Sequence, residues 1–384
     1  MKLVLKKEAR KARARRGHPW VFANELKKAP DPSADGRACP LVDERGRFLG
    51  MGIVNTRSQI VWRRYSNREE EWSGDFFARA LELALRNREE EPFRRLVWSE
   101  ADDFPGLVVD QFGDYLVVQA LTLGVELALP EIMELLQDLL SPRDIVVRND
   151  APSRKLEGLT LEQYSRSGGT VEPFWAKIYE MEYFLDLHSG QKTGFYLDQR
   201  QEHFKVATFA SDWRVLDAFC NQGGFGLQCA AAGAREVLGL DSSEEAISAA
   251  RANAAKNGLQ VRFEKENVFD FFSKREKEDR FDLVILDPPS FAPNRKAVPA
   301  ACRGYKELQL RAFQALTPGG ILATYCCSHH VGRDRFLQLV EEAAVDCRRP
   351  VQLLYETGQP IDHPVRLGFP ESSYLKGFLL RVNG

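Results

Sequence analysis

The sequence is 384 residues long, with 44% hydrophobic and 28% charged residues, a balance typical of a folded protein with more than one domain. This composition excludes extensive disorder, and no apolar run approaches the roughly 20 residues of a membrane-spanning helix. The net charge of −2 does not indicate nucleic-acid binding, although positive charge is concentrated between Lys2 and Arg16. Seven cysteines without regular spacing are typical of reduced thiols, so we expect a cytoplasmic protein without membrane partners.

Residues 1–72 are predicted to form a small β-rich barrel. Short alternating patterns such as "SQIVWRRYS" are broken by Gly, Asp and Asn, as expected for strands joined by turns. His18 and Trp20 follow the basic arm and are candidates for stacking on bases, although Trp20 suits core packing equally well. This segment resembles a PUA domain, a small RNA-binding barrel, and that resemblance favours RNA as a partner.

Residues 73–188 are predicted to form a central α+β domain. The stretch "DFFARALELALRNREEEPF" has the pattern of a long helix, and "LPEIMELLQDLL" that of a second one. Between them, "GLVVDQFGDYLVVQ" predicts two strands with Gly113-Asp114 as the hairpin turn. The acidic residues of this region are interpreted as turn and surface groups, so no chemistry is assigned to it.

From residue 189 to residue 384, strands and helices alternate. The alternation predicts βαβ units and an α/β domain with a parallel sheet covered by helices on both faces. The last strand-like stretch is "SSYLKGFLLRV". Because ligands of such sheets bind at the carboxyl ends of the strands, the residues that follow each strand are the candidates for a site.

The first strand of this region ends in the glycine-rich "LDAFCNQGGFG", residues 216–226. Such a turn brings backbone N–H groups close to a ligand, but this one lacks the glycine spacing of a dinucleotide fingerprint. Asp241 ends the second strand, where a carboxylate can accept both hydroxyls of a ribose. Asn267 follows the third strand and is a candidate either for an adenine contact or for a helix cap.

The fourth strand ends in Asp287-Pro288-Pro289. Two prolines after a buried strand fix an extended turn and hold the preceding carboxylate at the edge of the sheet. In this position the tripeptide resembles the motif of class I S-adenosylmethionine-dependent methyltransferases that act on nucleic acid.

The fifth strand is followed by "YCCSHH", which places Cys326 and Cys327 at the same edge. A zinc site is not favoured, because adjacent strand residues point to opposite faces and the spacing does not match structural zinc sites. A disulfide between neighbouring cysteines is strained, so one cysteine is expected to pack inward. A thiolate is required to methylate cytosine at C5, because its addition to C6 makes C5 nucleophilic.

Taken together, the chain resembles the type I large-subunit ribosomal RNA methyltransferases, the PUA-containing 5-methylcytosine enzymes, almost from end to end. The motifs that carry the resemblance are "RGHPWVFANE", "GQKTGFYLDQR", "LDAFCNQGGFG", "LDPPSF", "CRGYKELQL" and "DHP" with "YLKG". The resemblance implies S-adenosylmethionine as cofactor, ribosomal RNA as substrate and a homodimer. It also implies that Cys327, directly before Ser328, is the nucleophile and that Asp287 contacts the cytosine N3 and amino edge.

The same resemblance implies two further sets of residues. The cofactor-binding set is Lys192, Tyr196, Arg200, Asp217, Phe219, Asn221, Gly223, Gly224, Asp241, Asn267 and Asp287. The RNA-binding set is Arg16, His18, Trp20, Arg303, Tyr305 and Lys306. No metal ligands are predicted.

Two alternative functions stay open from the sequence. The Asp-Pro-Pro turn is compatible with methylation of an exocyclic amine of adenine or guanine, which needs no thiol. A protein that binds RNA during ribosome assembly without methyl transfer is the other alternative, against which the intact cofactor loop argues. The sequence identifies neither the modified nucleotide nor the base that removes the C5 proton.

Overall fold

The computed structural model describes residues 2–6, 13–190 and 193–383; Lys192, predicted to bind the cofactor, lies outside them. The chain divides into two units, each formed from separate parts of the sequence. The N-terminal unit comprises Met1–Phe174, Leu185–Leu197 and Ile361–Ser372. The C-terminal unit comprises Trp175–Phe184, Asp198–Pro360 and Ser373–Gly384.

The N-terminal unit begins with a five-stranded sheet, as the alternating pattern predicts. Its strands are β1 (Leu3–Val4), β2 (Trp20–Phe22), β3 (Ala38–Val42), β4 (Phe48–Val54) and β5 (Ile60–Ser66), in the order β1-β3-β4-β5-β2. Only the β1–β3 pair is parallel among the pairs of this sheet that the structure describes. Leu41, Val61 and Trp62 are buried in its core, and because Val61 and Trp62 are adjacent, β5 buries side chains on both of its faces.

The second part of this unit packs two helices on a mixed sheet. The helices are α1 (Gly74–Arg86) and α2 (Leu123–Leu140), and the strands are β6 (Phe93–Trp98), β7 (Leu107–Phe112), β8 (Tyr115–Ala120), β9 (Asp144–Asn149) and β10 (Glu162–Ser165). The strand order is β10-β9-β8-β7-β6. Phe77 and Leu81 of α1 and Ile132 of α2 share one core with the sheet. The hairpin turn at Gly113 is confirmed, and this glycine has a φ of +61°.

The long helix predicted up to Phe93 ends earlier. Helix α1 stops at Arg86, and Phe93 is already the first residue of β6. Three consecutive glutamates follow, and Pro92 disfavours a helical conformation of Glu91, so the helix does not extend through this stretch. The sequence pattern therefore overestimated the length of α1.

The C-terminal unit contains the predicted alternation of strands and helices. A hairpin of β11 (Phe174–Ile178) and β12 (Met181–Leu185) leads into it. The strands of the main sheet are β13 (Arg214–Ala218), β14 (Glu236–Asp241), β15 (Arg262–Lys265), β16 (Phe281–Leu286), β17 (Leu316–Cys326), β18 (Val351–Gly358) and β19 (Lys376–Val382). The helices are α3 (Arg200–Ala207), α4 (Gly224–Ala231), α5 (Glu244–Lys256), α6 (Val268–Lys274), α7 (Val298–Ala315) and α8 (Arg333–Cys347).

The seven strands lie in the order β15-β14-β13-β16-β17-β19-β18. The first five run parallel, which brings the carboxyl ends of β13, β14, β16 and β17 to one edge. The predicted closing strand, β19, is confirmed and is antiparallel to both of its neighbours. Strand β18 was not predicted. Among the described residues, no helix is both long and apolar enough to cross a membrane.

Candidate active site at the carboxyl edge of the C-terminal sheet

The loop after β13 has an unusual backbone. Phe219, Asn221 and Gly223 have φ angles of +69°, +48° and +90°. Left-handed conformations at two residues other than glycine cost free energy and are found mainly where a functional loop requires them. A Cβ atom on Gly223 would lie 2.8 Å from the ring of Phe263, so no larger residue fits this place without rearrangement. The loop is therefore held in one conformation at the edge of the sheet.

Asp217 lies at the base of this loop and is fully buried. Its Oδ2 accepts a hydrogen bond of 2.8 Å from the backbone N–H of Gly226. Its Oδ1 is buried without a hydrogen-bond partner within residues 2–6, 13–190 and 193–383. Burial, together with the negative charges of Asp287 and Asp241, raises the pKa of Asp217 to about 7, although the hydrogen bond from Gly226 opposes the shift. Three carboxyl groups from three strand ends thus act on one another here, which favours a positively charged ligand.

Asp241 and Asn267 end the next two strands along this edge. The carboxylate of Asp241 accepts hydrogen bonds of 3.0 Å from the backbone N–H groups of Asn221 and Ser243. It therefore joins the loop after β13 to the start of α5. The side-chain oxygen of Asn267 accepts from the backbone N–H groups of Phe269 and Asp270, at 2.9 and 3.3 Å. This is the helix-cap alternative of the sequence analysis.

Two residues predicted to cover the cofactor have different environments. Arg200 begins α3 and is only 4% exposed, and its Nε donates a hydrogen bond of 3.2 Å to the hydroxyl of Tyr179. Arg200 is therefore not a surface cation, which is compatible with its predicted place in the cofactor-binding set. Tyr196 is half-buried and belongs to the N-terminal unit.

His203 was not singled out in the sequence, yet it packs directly against Gly224, where the loop after β13 meets α4. A Cβ atom on Gly224 would lie 2.4 Å from the ring of His203, so this glycine gives the imidazole its space. The ring also meets that of Phe225 edge to face at 4.4 Å. Burial lowers the pKa of His203 to about 3, although the charge of Asp198 opposes the shift. The imidazole is therefore neutral, and only the fold reveals its place.

We expect His203 to destabilise the fold in acid. The pKa of His203 is about 3 in the folded state and 6.5 for an ordinary histidine, so its contribution to the free energy of unfolding is present above pH 6.5 and is lost as the pH falls towards 3. Between pH 6.5 and pH 3, the free energy of unfolding should fall in both proteins. The fall should be about 2–4 kcal/mol smaller in the neutral variant His203→Gln than in the unmodified protein. Urea unfolding at a series of pH values measures the difference. The exposed His330→Gln is the control, and identical pH dependence of all three proteins would contradict the prediction.

The two adjacent cysteines are in different environments. Cys326, the last residue of β17, is fully buried in the core of the sheet. Cys327 is half-buried, and its Sγ lies 3.8 Å from the carbonyl oxygen of Pro288 in the Asp-Pro-Pro turn. The expectation that one cysteine of the pair packs inward is confirmed for Cys326. The second thiol lies beside the turn that follows Asp287.

Ser328 connects the thiol segment, residues 327 and 328, to α7, to the turn after β16 and to β19. Its hydroxyl lies 2.8 Å from the hydroxyl of Tyr305 on α7 and 2.9 Å from that of Ser290. Its carbonyl accepts a hydrogen bond of 2.7 Å from Nζ of Lys376 on β19. Burial raises the pKa of Tyr305, so this hydroxyl stays protonated. Ser290 and Ser328 thereby fix the turns after β16 and β17 to each other.

Tyr305 was predicted to contact RNA, but its ring is fully buried and lies 4.8 Å from that of Phe291. We therefore interpret Tyr305 as a structural residue that holds the thiol segment in place through Ser328. Its neighbours in the predicted set are more accessible: Arg303 is exposed, and Lys306 forms ion pairs with Glu342 and Asp346.

The predicted RNA contacts near the N-terminus are also mainly engaged within the fold. His18 is 2% exposed and lies 2.9 Å from the carboxylate of Glu371. Trp20 donates a hydrogen bond of 2.6 Å to Glu100, and its ring meets that of Phe369 at 5.0 Å. The burial of His18 is not compatible with stacking on a base, whereas Trp20 is half-buried and its predicted RNA contact stays a prediction. Arg16 is exposed.

In the ranges that the structure describes, no group of three or more His, Cys, Asp or Glu side chains could hold a metal ion. His329 and His330 are both exposed, and the ring of His329 lies 5.8 Å from that of Tyr374.

Comparisons with known proteins agree with this fold. A family model for a PUA-like domain matches residues 3–67, and one for an S-adenosylmethionine-dependent methyltransferase matches residues 162–360. A solved chain from Streptococcus mutans, described as a SAM-dependent methyltransferase, has a TM-score of 0.84 and 20% identity with full coverage of both chains. A further solved methyltransferase, SMU.776, complexed with SAH, has a TM-score of 0.84 and 21% identity with the same coverage.

Two sequence relatives extend over nearly the whole chain. The protein called Ribosomal RNA large subunit methyltransferase I in Tolumonas auensis is 39% identical over 99% of both chains. The protein of that name in Klebsiella pneumoniae strain 342 is 36% identical over 99% of this chain and 98% of its own.

The sheet order, the buried Asp217 near the end of β13 and the matched family model define an S-adenosylmethionine-dependent methyltransferase with an N-terminal PUA-like domain. At this identity and coverage, the chain belongs to the ribosomal RNA large subunit methyltransferase I family.

Proposed function

We propose that this protein methylates cytosine at C5 in large-subunit ribosomal RNA, and that Cys327 forms a covalent bond to C6 during the reaction. The observation that carries the proposal is the position of the half-buried Cys327 thiol, 3.8 Å from Pro288 in the turn after Asp287. Methylation of an exocyclic amine needs no thiol, whereas methylation of C5 does. The PUA-like segment and the family support RNA as the substrate.

The residues at this edge fit S-adenosylmethionine. The cofactor carries a sulfonium and an ammonium, and the loop after β13 offers the buried Oδ1 of Asp217, which has no hydrogen-bond partner in the described part of the chain. Asp241, at the end of the second strand, suits the ribose hydroxyls. The predicted cofactor set around this loop therefore stands as part of the proposal. When bound, the cofactor supplies the methyl group.

The chain's own residues perform the remaining steps. The thiolate of Cys327 adds to C6, and the electron pair of the C5–C6 double bond then makes C5 nucleophilic. Asp287 contacts N3 and the amino group and balances the change of charge on the ring. Once C5 carries the methyl group, its proton passes to water, the electron pair of the C5–H bond re-forms the C5–C6 double bond, and Cys327 leaves C6 as the thiolate, which restores the aromatic ring. Throughout these steps, the hydrogen bond between the hydroxyls of Ser290 and Ser328 holds the Asp-Pro-Pro turn against the thiol segment.

The proposal is tested by nucleoside mass spectrometry. Large-subunit ribosomal RNA without this modification is incubated with purified protein and labelled S-adenosylmethionine and then digested to nucleosides. New labelled 5-methylcytidine is the expected product. A labelled methylpurine would instead favour the exocyclic-amine alternative, and cofactor binding without any methyl transfer would favour a non-catalytic role in ribosome assembly.

RNA binding is expected to depend on salt. Arg16 and Arg303 are exposed and stay predicted phosphate contacts, and with a few such contacts the affinity should fall about 10- to 50-fold between roughly 50 and 200 mM salt. Arg16→Gln or Arg303→Gln should each reduce the slope of log affinity against log salt by about 0.7. Filter binding measures these slopes. Arg235→Gln, at another exposed arginine, is the control, and an affinity independent of salt would contradict the prediction.

The predicted division of the chain into 1–72, 73–188 and 189–384 belongs to the same proposal. In it, the first part binds RNA, the central α+β part has no assigned chemistry, and the last part carries the cofactor and the thiol.

A further inference from the structure

Lys376 is a buried cation in contact with the thiol segment. It begins β19 and lies directly opposite Cys326 in the antiparallel pair with β17. The residue is only 6% exposed. Its Nζ donates hydrogen bonds of 2.7 Å to the carbonyl of Ser328 and 3.0 Å to that of Val331. The ammonium therefore closes the turn that begins with Cys327.

The hydrogen bonds of Lys376 use two of the three N–H donors of its ammonium group. An ammonium has three N–H groups, and two of them bind the carbonyls of Ser328 and Val331. Within the described ranges the third has no hydrogen-bond partner. A buried ammonium is costly unless an acceptor or an opposite charge compensates it. An anion that forms beside this group would supply the compensation.

The two neighbouring thiols are the groups that can supply this negative charge. Burial lowers the pKa of Lys376, and the charges of Cys326 and Cys327 as thiolates raise it again. The interaction is mutual, because a cation that is stabilised by a thiolate also stabilises that thiolate. Cys326 is fully buried and offers no access to a substrate, whereas Cys327 is half-buried. The positive charge of Lys376 can therefore assist a reaction with a substrate only by stabilising the thiolate of Cys327.

The other titratable groups around this turn do not replace the lysine. Tyr305 stays protonated on α7, and Asp287, whose negative charge raises the pKa values of Asp217 and Tyr325, also disfavours a thiolate. From α3, Glu202 accepts a hydrogen bond from Tyr325 and its pKa is raised by burial. His329 is exposed in the turn itself. Arg333 at the start of α8 and Glu356 in β18 form an ion pair with each other.

We propose that Lys376 is a positioning residue of the methyltransferase site, whose ammonium fixes the turn after β17 and favours the thiolate form of Cys327. This inference rests on the proposed function, in which Cys327 is the nucleophile. A free thiol has a pKa of about 8.5 and is ionised to only a few per cent at neutral pH. A buried cation beside the turn supplies the activation that the sequence did not reveal.

The test measures how fast iodoacetamide alkylates Cys327 as a function of pH. The alkylated peptide is quantified by mass spectrometry, with neither RNA nor cofactor present. We expect a midpoint below about 8.5 for the unmodified protein and a midpoint about one unit higher for Lys376→Met, which makes alkylation near pH 7 about ten times slower. Lys376→Arg keeps the charge and should lie closer to the unmodified protein.

Lys256→Met, at a half-exposed lysine on α5, is the matched control and should not change the midpoint. Equal midpoints for the unmodified protein and folded Lys376→Met would overturn the proposal, and so would equal shifts in the Met and Arg variants, which would assign the effect to packing. If Lys376→Met does not fold, a midpoint at or above about 8.5 in the unmodified protein overturns it. The assay needs no methyl transfer, so its result is independent of whether Cys327 is the nucleophile.

Discussion

Replacing Cys327 by alanine should reduce the rate of methyl transfer by at least about 10³-fold, equivalent to about 4 kcal/mol of transition-state stabilisation. Without the thiol, C5 of cytosine is not made nucleophilic. The other groups of the site stay in place, because the side chain of Cys327 is half-buried and its truncation leaves Ser328 bonded to Tyr305 and Ser290. Single-turnover transfer of labelled methyl groups to ribosomal RNA measures the effect.

Cys326→Ala is the matched control for this prediction. It removes a thiol from the neighbouring position, which is fully buried and lies in the core of the sheet. We expect it to lower the free energy of unfolding by about 1 kcal/mol and to keep the rate within about threefold of the unmodified protein. Cofactor affinity, measured by calorimetry, should be the same in both variants. Full activity of Cys327→Ala would refute covalent catalysis through this residue.

Replacing Asp287 by asparagine should slow methyl transfer by about 10²- to 10³-fold, because general acid–base contributions are of that size. The amide keeps the shape of the carboxyl group but loses its charge and its ability to exchange a proton with the cytosine ring. The charge of Asp287 also raises the pKa of Asp217, so the variant should titrate Asp217 at a lower pH than the unmodified protein does. Single-turnover rates and the pH dependence of cofactor binding measure the two effects.

Asp270→Asn is the control, since Asp270 is an exposed carboxylate in the first turn of α6. It should change neither the rate nor the pH dependence of cofactor binding. A rate for Asp287→Asn within about threefold of the control would exclude Asp287 from the chemistry.

Much of the site could be predicted because it follows strand ends. Asp217 and Asp241 lie at the carboxyl ends of strands, Asp287 and Cys327 directly follow strands, and the alternation of strands and helices is visible in the sequence. The topology then brings these positions to one edge of the sheet.

The rest of the site depends on contacts between residues far apart in the sequence. Lys376 binds the carbonyl of Ser328 across 48 positions, and nothing local marks it as part of the thiol segment. His203 became visible only when the fold placed its ring against Gly224. Tyr305 was misjudged because its position in "CRGYKELQL" does not say which face of α7 it occupies.

The domain organisation shows the same limit. The segment Ile361–Ser372 follows β18 in the sequence but belongs to the N-terminal unit, where Glu371 binds His18 across 353 positions. No composition change marks this return of the chain. The predicted stacking of His18 on a base failed for that reason, since its partner lies near the other end of the sequence.

The most direct test of the account is to trap the covalent adduct. Ribosomal RNA that contains 5-fluorocytidine is incubated with the protein and S-adenosylmethionine, and the peptide attached to the RNA is identified by mass spectrometry. Fluorine at C5 cannot leave as a proton does, so the sulfur–C6 bond should persist and the attached peptide should carry the modification on Cys327. An adduct on another residue, or abundant methylation of ordinary RNA by a protein that forms no adduct, would contradict the account.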